Sequence, residues 1–247
     1  MNEKSLDCVF LHGWGVKKEI LINLSKGIDC VGEPMIPCLY EMTRLANKYS
    51  FVAIAKEIEK TVHRESIVIG WSIGGLIATR LALLTKKVKA IVFIASVPRF
   101  INNDGWKNTI DKKDFDDLKK SFNKDPLLTL ESFAGLISIG EKSAKDSNRK
   151  LRKFIMDETI NKNILANWLI ELENTDLRKD LSSLNIPMLF VMGNQDALID
   201  PKVVDRLKEL LPKARFDLVK NCGHAPFISM TNETQNLINN FINDVNY

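Results

Sequence analysis

The chain has 247 residues, of which 45% are hydrophobic and 27% are charged, and its formal net charge is +4 at pH 7. This composition is typical of a globular protein with a sizeable core, and it excludes an intrinsically disordered chain. The sequence has no run of about 18 apolar residues, so no transmembrane helix is predicted.

The N-terminal sequence and the cysteines favour a cytoplasmic protein. Residues 1–7 lack the basic and apolar regions of a secretory signal. No C-x-x-C pair or zinc-ligand spacing is present, so we interpret all four cysteines as free thiols in a reducing compartment: Cys8, Cys30, Cys38 and Cys222. Basic and acidic residues are interspersed over most of the chain, so we expect no binding to nucleic acid. We also predict a monomer that does not bind a membrane.

The first part of the chain alternates between short apolar runs and helical patterns. The runs at 8–11, 66–69 and 88–95 are typical of buried parallel strands. Apolar residues with a period near 3.6 predict helices over 53–60 and 76–84.

Residues 99–180 break this alternation. They contain no convincing strand, are rich in Lys and Asp, and show helical patterns such as 114–120 and 163–170. We therefore predict a helical lid over 99–180, inserted into a core that consists of 1–98 and 181–247.

The alternation resumes after the predicted lid. A buried strand is predicted over 187–192, and the more alternating run at 215–219 predicts a strand nearer the sheet edge. Helices are predicted over 201–211, with Pro201 as the first helical residue, and over 231–242. This order favours a parallel sheet that is covered by helices on both faces.

A candidate nucleophile lies between a predicted strand and a predicted helix. The sequence G-W-S-I-G-G at 70–75 fits the G-x-S-x-G pattern, with Ser72 at its centre. A sharp strand-to-helix turn leaves no room for side chains beside the serine, and Gly70 and Gly74 supply that room. The alternative is a glycine-rich turn with an incidental serine.

The chain has three histidines that could act as the base. His224 lies in the loop between the last predicted strand and the last helix, where active-site residues of α/β proteins gather, although it could be a loop histidine without a role. His63 lies in a polar connector and is expected on the surface. His12 lies in the glycine-rich turn 12–15 and is expected to shape that turn rather than to react.

A histidine base needs a carboxylate that holds its tautomer. Asp196 directly follows a predicted strand and is our candidate. Asp200 is the rival, but it precedes Pro201 and is better placed to cap a helix. The resulting order, Ser72, Asp196 and His224, is the one expected of the α/β-hydrolase fold.

An oxyanion hole needs two backbone donors. The N–H of Ile73, which follows the nucleophile, is one candidate, and the N–H of Trp14 in the glycine-rich turn is the other. Trp14 could also be a core aromatic residue, and both roles are compatible because the donor belongs to the backbone.

The chain resembles carboxylesterases of the α/β-hydrolase superfamily, and most closely the family of pimeloyl-acyl carrier protein methyl ester esterases. The resemblance rests on five segments: Leu11–Gly15, Gly70–Gly75, Asp176–Arg178, Gly193–Asp196 and His224–Ser229. It implies an α/β-hydrolase fold, with a mostly parallel sheet flanked by helices and an inserted helical lid. It also implies Ser72 as nucleophile, Asp196 as orienting acid and His224 as base, without a metal or organic cofactor.

The resemblance further implies substrate contacts from Trp14, Ile73, His224 and a lid segment that comprises Phe133, Ala134, Gly135, Leu136 and Ile137. Phe133 could instead belong to the lid core. Two departures stand out, because the family has an N-terminal hairpin and a glycine-rich loop that are absent here. We therefore expect reduced N-terminal edge strands and a different pocket wall at 33–39.

One stretch of the lid is strongly basic. Lys142, Lys145, Arg149 and Arg152 are spaced by three or four residues and are expected to share one helical face. Acyl carrier protein is acidic, so we predict that this face docks it. The alternative is a solvated face without a partner.

The Ser72, Asp196 and His224 candidates favour a serine carboxylesterase, and the resemblance implies that it hydrolyses the methyl ester of pimeloyl-acyl carrier protein in biotin synthesis. A general short-chain carboxylesterase or a carbon–carbon bond hydrolase of the same fold is the alternative. A non-catalytic ligand-binding homologue is a third possibility, because a fold alone does not imply activity.

Overall fold

A computed structural model describes residues 6–157 and 161–246. Its sheet has five parallel strands in the order β1-β2-β3-β4-β5. The strands are β1 Asp7–Leu11, β2 Ser66–Trp71, β3 Val88–Ile94, β4 Met188–Gly193 and β5 Arg215–Val219. All five strands predicted from the apolar runs are confirmed, and the alternating run forms an edge strand, as predicted.

Helices precede, connect and follow these strands. Up to β3 they are the 3₁₀ helix Lys18–Leu21 and helices α1 Ile22–Ser25, α2 Leu39–Ala46, α3 Phe51–Glu59 and α4 Ile73–Leu84. Between β3 and β4 they are α5 Lys112–Lys124, α6 Pro126–Ile137, α7 Ala144–Arg152, α8 Lys162–Asn174 and α9 Arg178–Ser183. After β4 they are α10 Val203–Leu210, α11 Pro226–Ser229 and α12 Thr231–Asn246.

The sheet separates two apolar cores. Along β1, Val9 and Leu11 point into one core, and Cys8 and Phe10 point into the other. Side chains of α3, α4 and α10 fill the first core, and those of α1 and α12 contribute to the second. Because both faces of β1–β4 are largely buried, these strands are mostly apolar runs in the sequence, whereas β5 is only partly buried and alternates.

The outer edge of β1 is covered by a single extended residue. The Phe10 N–H donates to the Met35 carbonyl oxygen at 2.8 Å, and the Met35 N–H donates to the Cys8 carbonyl oxygen at 2.9 Å. No strand of the described residues lies beyond β1. The expected reduction of the N-terminal edge thus holds for the described part, and Met35 protects the backbone groups that an edge strand would expose.

The cysteine interpretation is wrong for two of the four thiols. Cys8 in β1 and Cys30 in the loop after α1 form a disulfide, with Cα atoms 5.7 Å apart, whereas Cys38 and Cys222 are free. The fold brings together two residues that are 22 positions apart, and the spacing of cysteines in a sequence carries no signal of such proximity.

The two ends of the segment between β3 and β4 are held together. The Leu177 N–H donates to the Pro98 carbonyl oxygen at 2.9 Å, and Arg99 pairs with Asp176 at 3.3 Å. Asp176 also accepts hydrogen bonds from Arg178, including one of 2.7 Å from Nη2. The helices α5–α8 therefore leave the sheet and return to it at one place. Across the described ranges, no helix is both long and apolar enough to cross a membrane.

Helix α10 begins two residues later than predicted. Pro201 and Lys202 form a turn, and the helix begins at Val203. The Asp200 carboxylate accepts the Lys202 N–H at 2.9 Å, so it caps this turn instead of the helix itself.

Candidate active site

Ser72 occupies the turn between β2 and α4. Its backbone has φ 55° and ψ −122°, a strained conformation for a residue with a side chain. A Cβ atom at Gly74 would overlap the Leu11 carbonyl oxygen, and one at Gly70 would lie 2.6 Å from the Gly74 carbonyl. The two glycines are therefore needed for the close approach, as the pattern predicts. The Ser72 carbonyl oxygen accepts a hydrogen bond from Ser96 Oγ at 2.7 Å, which braces the turn from β3.

The fold brings Ser72, His224 and Asp196 into one hydrogen-bonded chain. His224 Nε2 lies 3.1 Å from Ser72 Oγ, and His224 Nδ1 lies 2.8 Å from Asp196 Oδ2. Asp196 Oδ1 accepts the backbone N–H groups of Leu198 and Ile199 at 2.8 and 3.0 Å. A histidine with its proton on Nδ1 donates to Asp196 and leaves Nε2 free to accept the serine proton.

The other acidic and basic candidates lie outside this chain. Asp200 is bound to the Lys202 N–H, and His63 is exposed, as expected. His12 is buried, with Nδ1 2.9 Å from the Gly13 carbonyl oxygen and Nε2 accepting the Leu39 N–H at 3.1 Å. Burial lowers the pKa of His12 to about 4, and the hydrogen bond to Gly13 opposes this shift only in part.

His12 and its neighbours fix the glycine-rich turn after β1. The His12 ring stacks on Tyr40, with ring centroids 5.2 Å apart. The Tyr40 hydroxyl accepts the Gly15 N–H at 3.0 Å, and its ring stacks on Trp168 at 4.7 Å. The turn that carries Trp14 is thus held from two sides, and the expected turn-shaping role of His12 agrees with these contacts.

The two residues predicted to supply the oxyanion donors, Trp14 and Ile73, line the same cavity as Ser72 and His224. Neither backbone N–H has an acceptor within residues 6–157 and 161–246, and the N–H of Ile73 is free because Ile73 is the first residue of α4. The Trp14 indole donates to the Leu165 carbonyl oxygen at 3.0 Å, so this residue is also packed as a core aromatic.

Trp71 fixes the loop that carries the candidate base. Its indole Nε1 donates to the His224 carbonyl oxygen at 2.8 Å, and its ring packs edge-on against Phe227 at 5.1 Å. A Cβ atom at Gly13 would meet this ring at 3.0 Å. In the sequence, Trp71 stands out only as part of the Gly70–Gly75 segment of the family resemblance, because its bond to His224 joins residues 153 positions apart.

The cavity at Ser72 is apolar and small. Its volume is ≈ 20 Å³, and its walls include Phe100, Phe115, Leu118, Phe133, Leu169 and Leu198. On the outer side of Leu118 and Phe133 lies an open groove of ≈ 770 Å³ between α5 and α6. Both side chains line both spaces, so they form the partition between the groove and the cavity.

Only one residue of the predicted lid contact segment lines the cavity. Phe133 packs edge-on against Trp14 at 5.2 Å and is half-buried. Ala134 and Ile137 are fully buried in the core, whereas Gly135 and Leu136 line the outer groove. The backbone of Ile137 reaches the site, because its carbonyl oxygen accepts the His224 N–H at 3.0 Å.

The basic residues do not all lie on one helix. Lys145, Arg149 and Arg152 belong to α7, but Lys142 precedes it, because α7 begins only at Ala144. The expectation of one shared helical face is thus wrong for Lys142. All four side chains are exposed, and two are paired, Arg149 with Asp146 at 3.0 Å and Arg152 with Glu131 at 3.5 Å.

Within residues 6–157 and 161–246, no cluster of three or more His, Cys, Asp or Glu residues has the arrangement of a metal site. Cys222, next to the candidate base in sequence, is buried, and burial together with nearby carboxylates raises the pKa of its thiol to about 12. This thiol is therefore protonated at neutral pH and is a poor nucleophile.

The chain is similar in sequence to two pimeloyl-[acyl-carrier protein] methyl ester esterases. The esterase from Photorhabdus laumondii is 29% identical, and the match spans 97% of this chain and 93% of that protein. The esterase from Aliivibrio fischeri is 28% identical, and the match spans 96% of this chain and 93% of that protein. An esterase structure from Exiguobacterium antarcticum superimposes with a TM-score of 0.77 at 17% identity, over 98% of this chain and 92% of that one.

A family model described as alpha/beta hydrolase fold matches residues 9–230. This range includes most of β1, the Ser72 turn, the Asp196 loop and His224. The order of strands and helices and the place of these three residues at the carboxyl ends of β2, β4 and β5 agree with that description. The chain therefore belongs to the α/β-hydrolase fold family.

Proposed function

We propose that the protein is a serine carboxylesterase that hydrolyses the methyl ester of pimeloyl-acyl carrier protein and frees the pimeloyl carboxylate in biotin synthesis. The observation that carries the ester hydrolase function is the hydrogen-bonded chain from Ser72 through His224 to Asp196. The substrate is supported by two relatives that carry the name of this esterase and are similar over nearly the whole chain.

In the proposed mechanism, Ser72 Oγ attacks the ester carbonyl while His224 Nε2 takes its proton. Asp196 holds the imidazole in position and stabilises its positive charge. The N–H groups of Ile73 and Trp14 bind the oxyanion of the tetrahedral intermediate. His224 then protonates the leaving methanol, and a water molecule activated by the same histidine releases the acid from Ser72.

The acyl chain needs more room than the described cavity provides. A cavity of ≈ 20 Å³ has room for about one water molecule, so it is too small for a seven-carbon chain. We infer that Phe133 and Leu118 move aside and join the cavity to the outer groove of ≈ 770 Å³. The apolar walls suit the methylene groups of the substrate.

The proposed partner is the acyl carrier protein that bears the ester, and the proposed docking surface is the basic face formed by Lys142, Lys145, Arg149 and Arg152. We propose that the protein acts as a monomer in the cytoplasm, where its carrier-bound substrate would be found. The Cys8–Cys30 disulfide is unusual for that compartment, so the cysteines no longer support this location.

Replacement of the nucleophile tests the mechanism. We expect Ser72→Ala to lower the rate of ester hydrolysis at least about 10³-fold and to abolish labelling by a fluorophosphonate probe. Ser182→Ala, which changes an exposed serine on α9, is the matched control and should retain full activity. Wild-type protein that is not labelled at Ser72 would indicate a ligand-binding homologue instead.

A substrate panel tests the specificity. The panel contains pimeloyl-acyl carrier protein methyl ester, short p-nitrophenyl esters and a dienoic ketoacid. The proposal predicts the highest kcat/KM for the carrier-bound ester. A preference for p-nitrophenyl esters would indicate a general short-chain esterase, and turnover of the ketoacid would indicate a carbon–carbon bond hydrolase.

A further inference from the structure

The turn at residues 137–143, which joins the end of α6 to α7, contacts the loop that carries His224. The His224 N–H donates to the Ile137 carbonyl oxygen at 3.0 Å, and the preceding Gly223 N–H donates to Glu141 Oε1 at 2.9 Å. A Cβ atom at Gly223 would lie only 2.7 Å from the Ile137 carbonyl oxygen, so the close approach needs a glycine. Two consecutive amides of the histidine loop are therefore held by this turn.

Glu141 supplies one of these two contacts from a buried position. Its relative exposure is 7%, although acidic side chains are rarely buried without a cationic partner. Oε1 also accepts a hydrogen bond from Ser229 Oγ at 3.3 Å, in the helix that follows His224. Oε2 is buried and has no hydrogen-bond partner in the described part of the chain. Burial of a carboxyl oxygen without a hydrogen-bond partner costs free energy, which the hydrogen bonds of Oε1 must offset.

The same turn packs against the loop of the candidate acid. Gly140 has φ 85°, and a Cβ atom there would lie 3.1 Å from the carbonyl oxygen of Gln195, the residue before Asp196. The Gln195 N–H in turn donates to the Cys222 carbonyl oxygen at 3.0 Å. The turn thus contacts both loops whose side chains form the His224–Asp196 pair.

We propose that Glu141 is a positioning residue for the catalytic base. Its carboxyl group fixes the Gly223 amide, and the turn thereby holds His224 Nε2 within hydrogen-bond distance of Ser72 Oγ. This proposal rests on the proposed function, because it assigns Glu141 a role through His224. It also explains why an acidic residue with a partly unsatisfied carboxyl group is buried at this place.

Two substitutions at residue 141 test the proposal, with p-nitrophenyl acetate as a substrate that needs no carrier. Glu141→Ala removes the acceptor of the Gly223 N–H, and we expect kcat to fall about 10-fold or more while KM changes less than about 2-fold. Glu141→Gln keeps an oxygen acceptor in the same place, and we expect kcat within about 3-fold of the wild-type value. If Glu141→Ala does not fold, Glu141→Met takes its place in the experiment, because methionine fills the space of the glutamate side chain without offering a hydrogen-bond acceptor of similar strength.

Glu131→Ala is the matched control, because Glu131 is an exposed glutamate on α6 and contacts neither loop. It should leave kcat unchanged. A spectroscopic readout is the downfield proton NMR signal of His224 Nδ1–H, which should shift or broaden in Glu141→Ala and persist in Glu141→Gln.

Two results would overturn the proposal: wild-type kcat in Glu141→Ala, or equal kcat losses in Glu141→Gln and Glu141→Ala with unchanged Tm. Either result is distinguishable from failure of the proposed function. If the proposed function were wrong, the wild-type protein itself would lack esterase activity, and Ser72→Ala would change nothing.

Discussion

His12 is a buried ionisable residue whose role is conformational. Both ring nitrogens are bound to backbone groups, and burial lowers the pKa of His12 from 6.5 to about 4. The folded protein therefore keeps His12 neutral at a pH at which the unfolded chain protonates it. Proton binding to the unfolded state then lowers the free energy of unfolding.

We predict that this histidine makes the protein less stable as the pH falls. The contribution is fully present above pH 6.5 and is lost between pH 6.5 and about 4, up to about 3 kcal/mol in total. Urea denaturation of the wild-type protein and of His12→Gln across this range measures the difference. The loss of stability on acidification should be smaller in His12→Gln, although that variant is less stable at pH 7.

The exposed His63 provides the control for this experiment. His63→Gln should show the same pH dependence as the wild-type protein, because His63 is exposed and its replacement removes no buried side chain. If the free energy of unfolding changes equally with pH in His12→Gln and in the wild-type protein, the assigned protonation state of His12 is wrong.

At the residue scale, the sequence predicts the reactive groups better than the groups that hold them. Ser72 is identifiable because its flanking glycines are a local steric requirement, and Asp196 and His224 follow from their place after predicted strands. The bonds of Trp71 and Glu141 to the His224 loop join residues 153 and 82 positions apart. Such contacts depend on the packed structure and have no local signal.

At the scale of elements, α6 shows what a family resemblance can and cannot indicate. The resemblance implies that residues 133–137 contact the substrate, but Phe133, Ala134 and Leu136 face three different surroundings: the cavity, the core and the outer groove. The orientation of a helix in a lid depends on its neighbours, here Trp14, which packs against both Phe133 of α6 and Phe122 of α5. The sequence therefore indicates the segment but not the residue that lines the cavity.

Phe133→Ala should open the partition between the cavity and the outer groove. We expect the preference among p-nitrophenyl esters to shift toward longer acyl chains, with kcat/KM for the octanoate rising about 5-fold or more relative to the acetate. The physical reason is that deletion of a large side chain leaves space that a longer chain can fill. Steady-state kinetics over a series of chain lengths measures the shift.

Phe122→Ala is a suitable control for the loss of packing alone. Phe122 also packs against Trp14, at 5.3 Å, but it is buried in the lid and does not line the cavity. It should lower Tm without any change in chain-length preference. If Phe133→Ala behaves in the same way, Phe133 belongs to the lid core and is not a gate.

At the scale of the whole molecule, the parallel sheet follows from the sequence, but cross-links between distant segments do not. The four apolar runs that form β1–β4 predict this sheet because strands buried on both faces must be apolar throughout. The Cys8–Cys30 disulfide and the cover of β1 by Met35 depend on the path of the loop between α1 and α2. Nothing in the local sequence specifies that path.

The distribution of charge is also a property of the whole molecule, and it leads to the last prediction. The net charge of +4 is modest, but four exposed basic residues, Lys145, Arg149, Lys150 and Arg152, lie on α7, and Lys142 lies just before it. Two of them, Arg149 and Arg152, form exposed ion pairs that contribute little to stability. Because such exposed pairs are weak, we expect an acidic carrier protein to compete with Asp146 and Glu131 for the two guanidinium groups.

Reversal of these charges in Arg149→Glu/Arg152→Glu should weaken the encounter with the carrier. We expect kcat/KM for the carrier-bound ester to fall about 10-fold at low salt, and the difference from the wild-type protein to shrink at high salt as screening increases. Turnover of a small p-nitrophenyl ester should be unchanged, because that substrate does not dock.

The double variant Lys202→Glu/Lys213→Glu is the matched control. It changes the net charge by the same amount at exposed sites beyond β4, and it should retain full activity on the carrier-bound ester. If Arg149→Glu/Arg152→Glu also turns over the carrier-bound ester at the wild-type rate in low salt, the basic face is only a solvated surface.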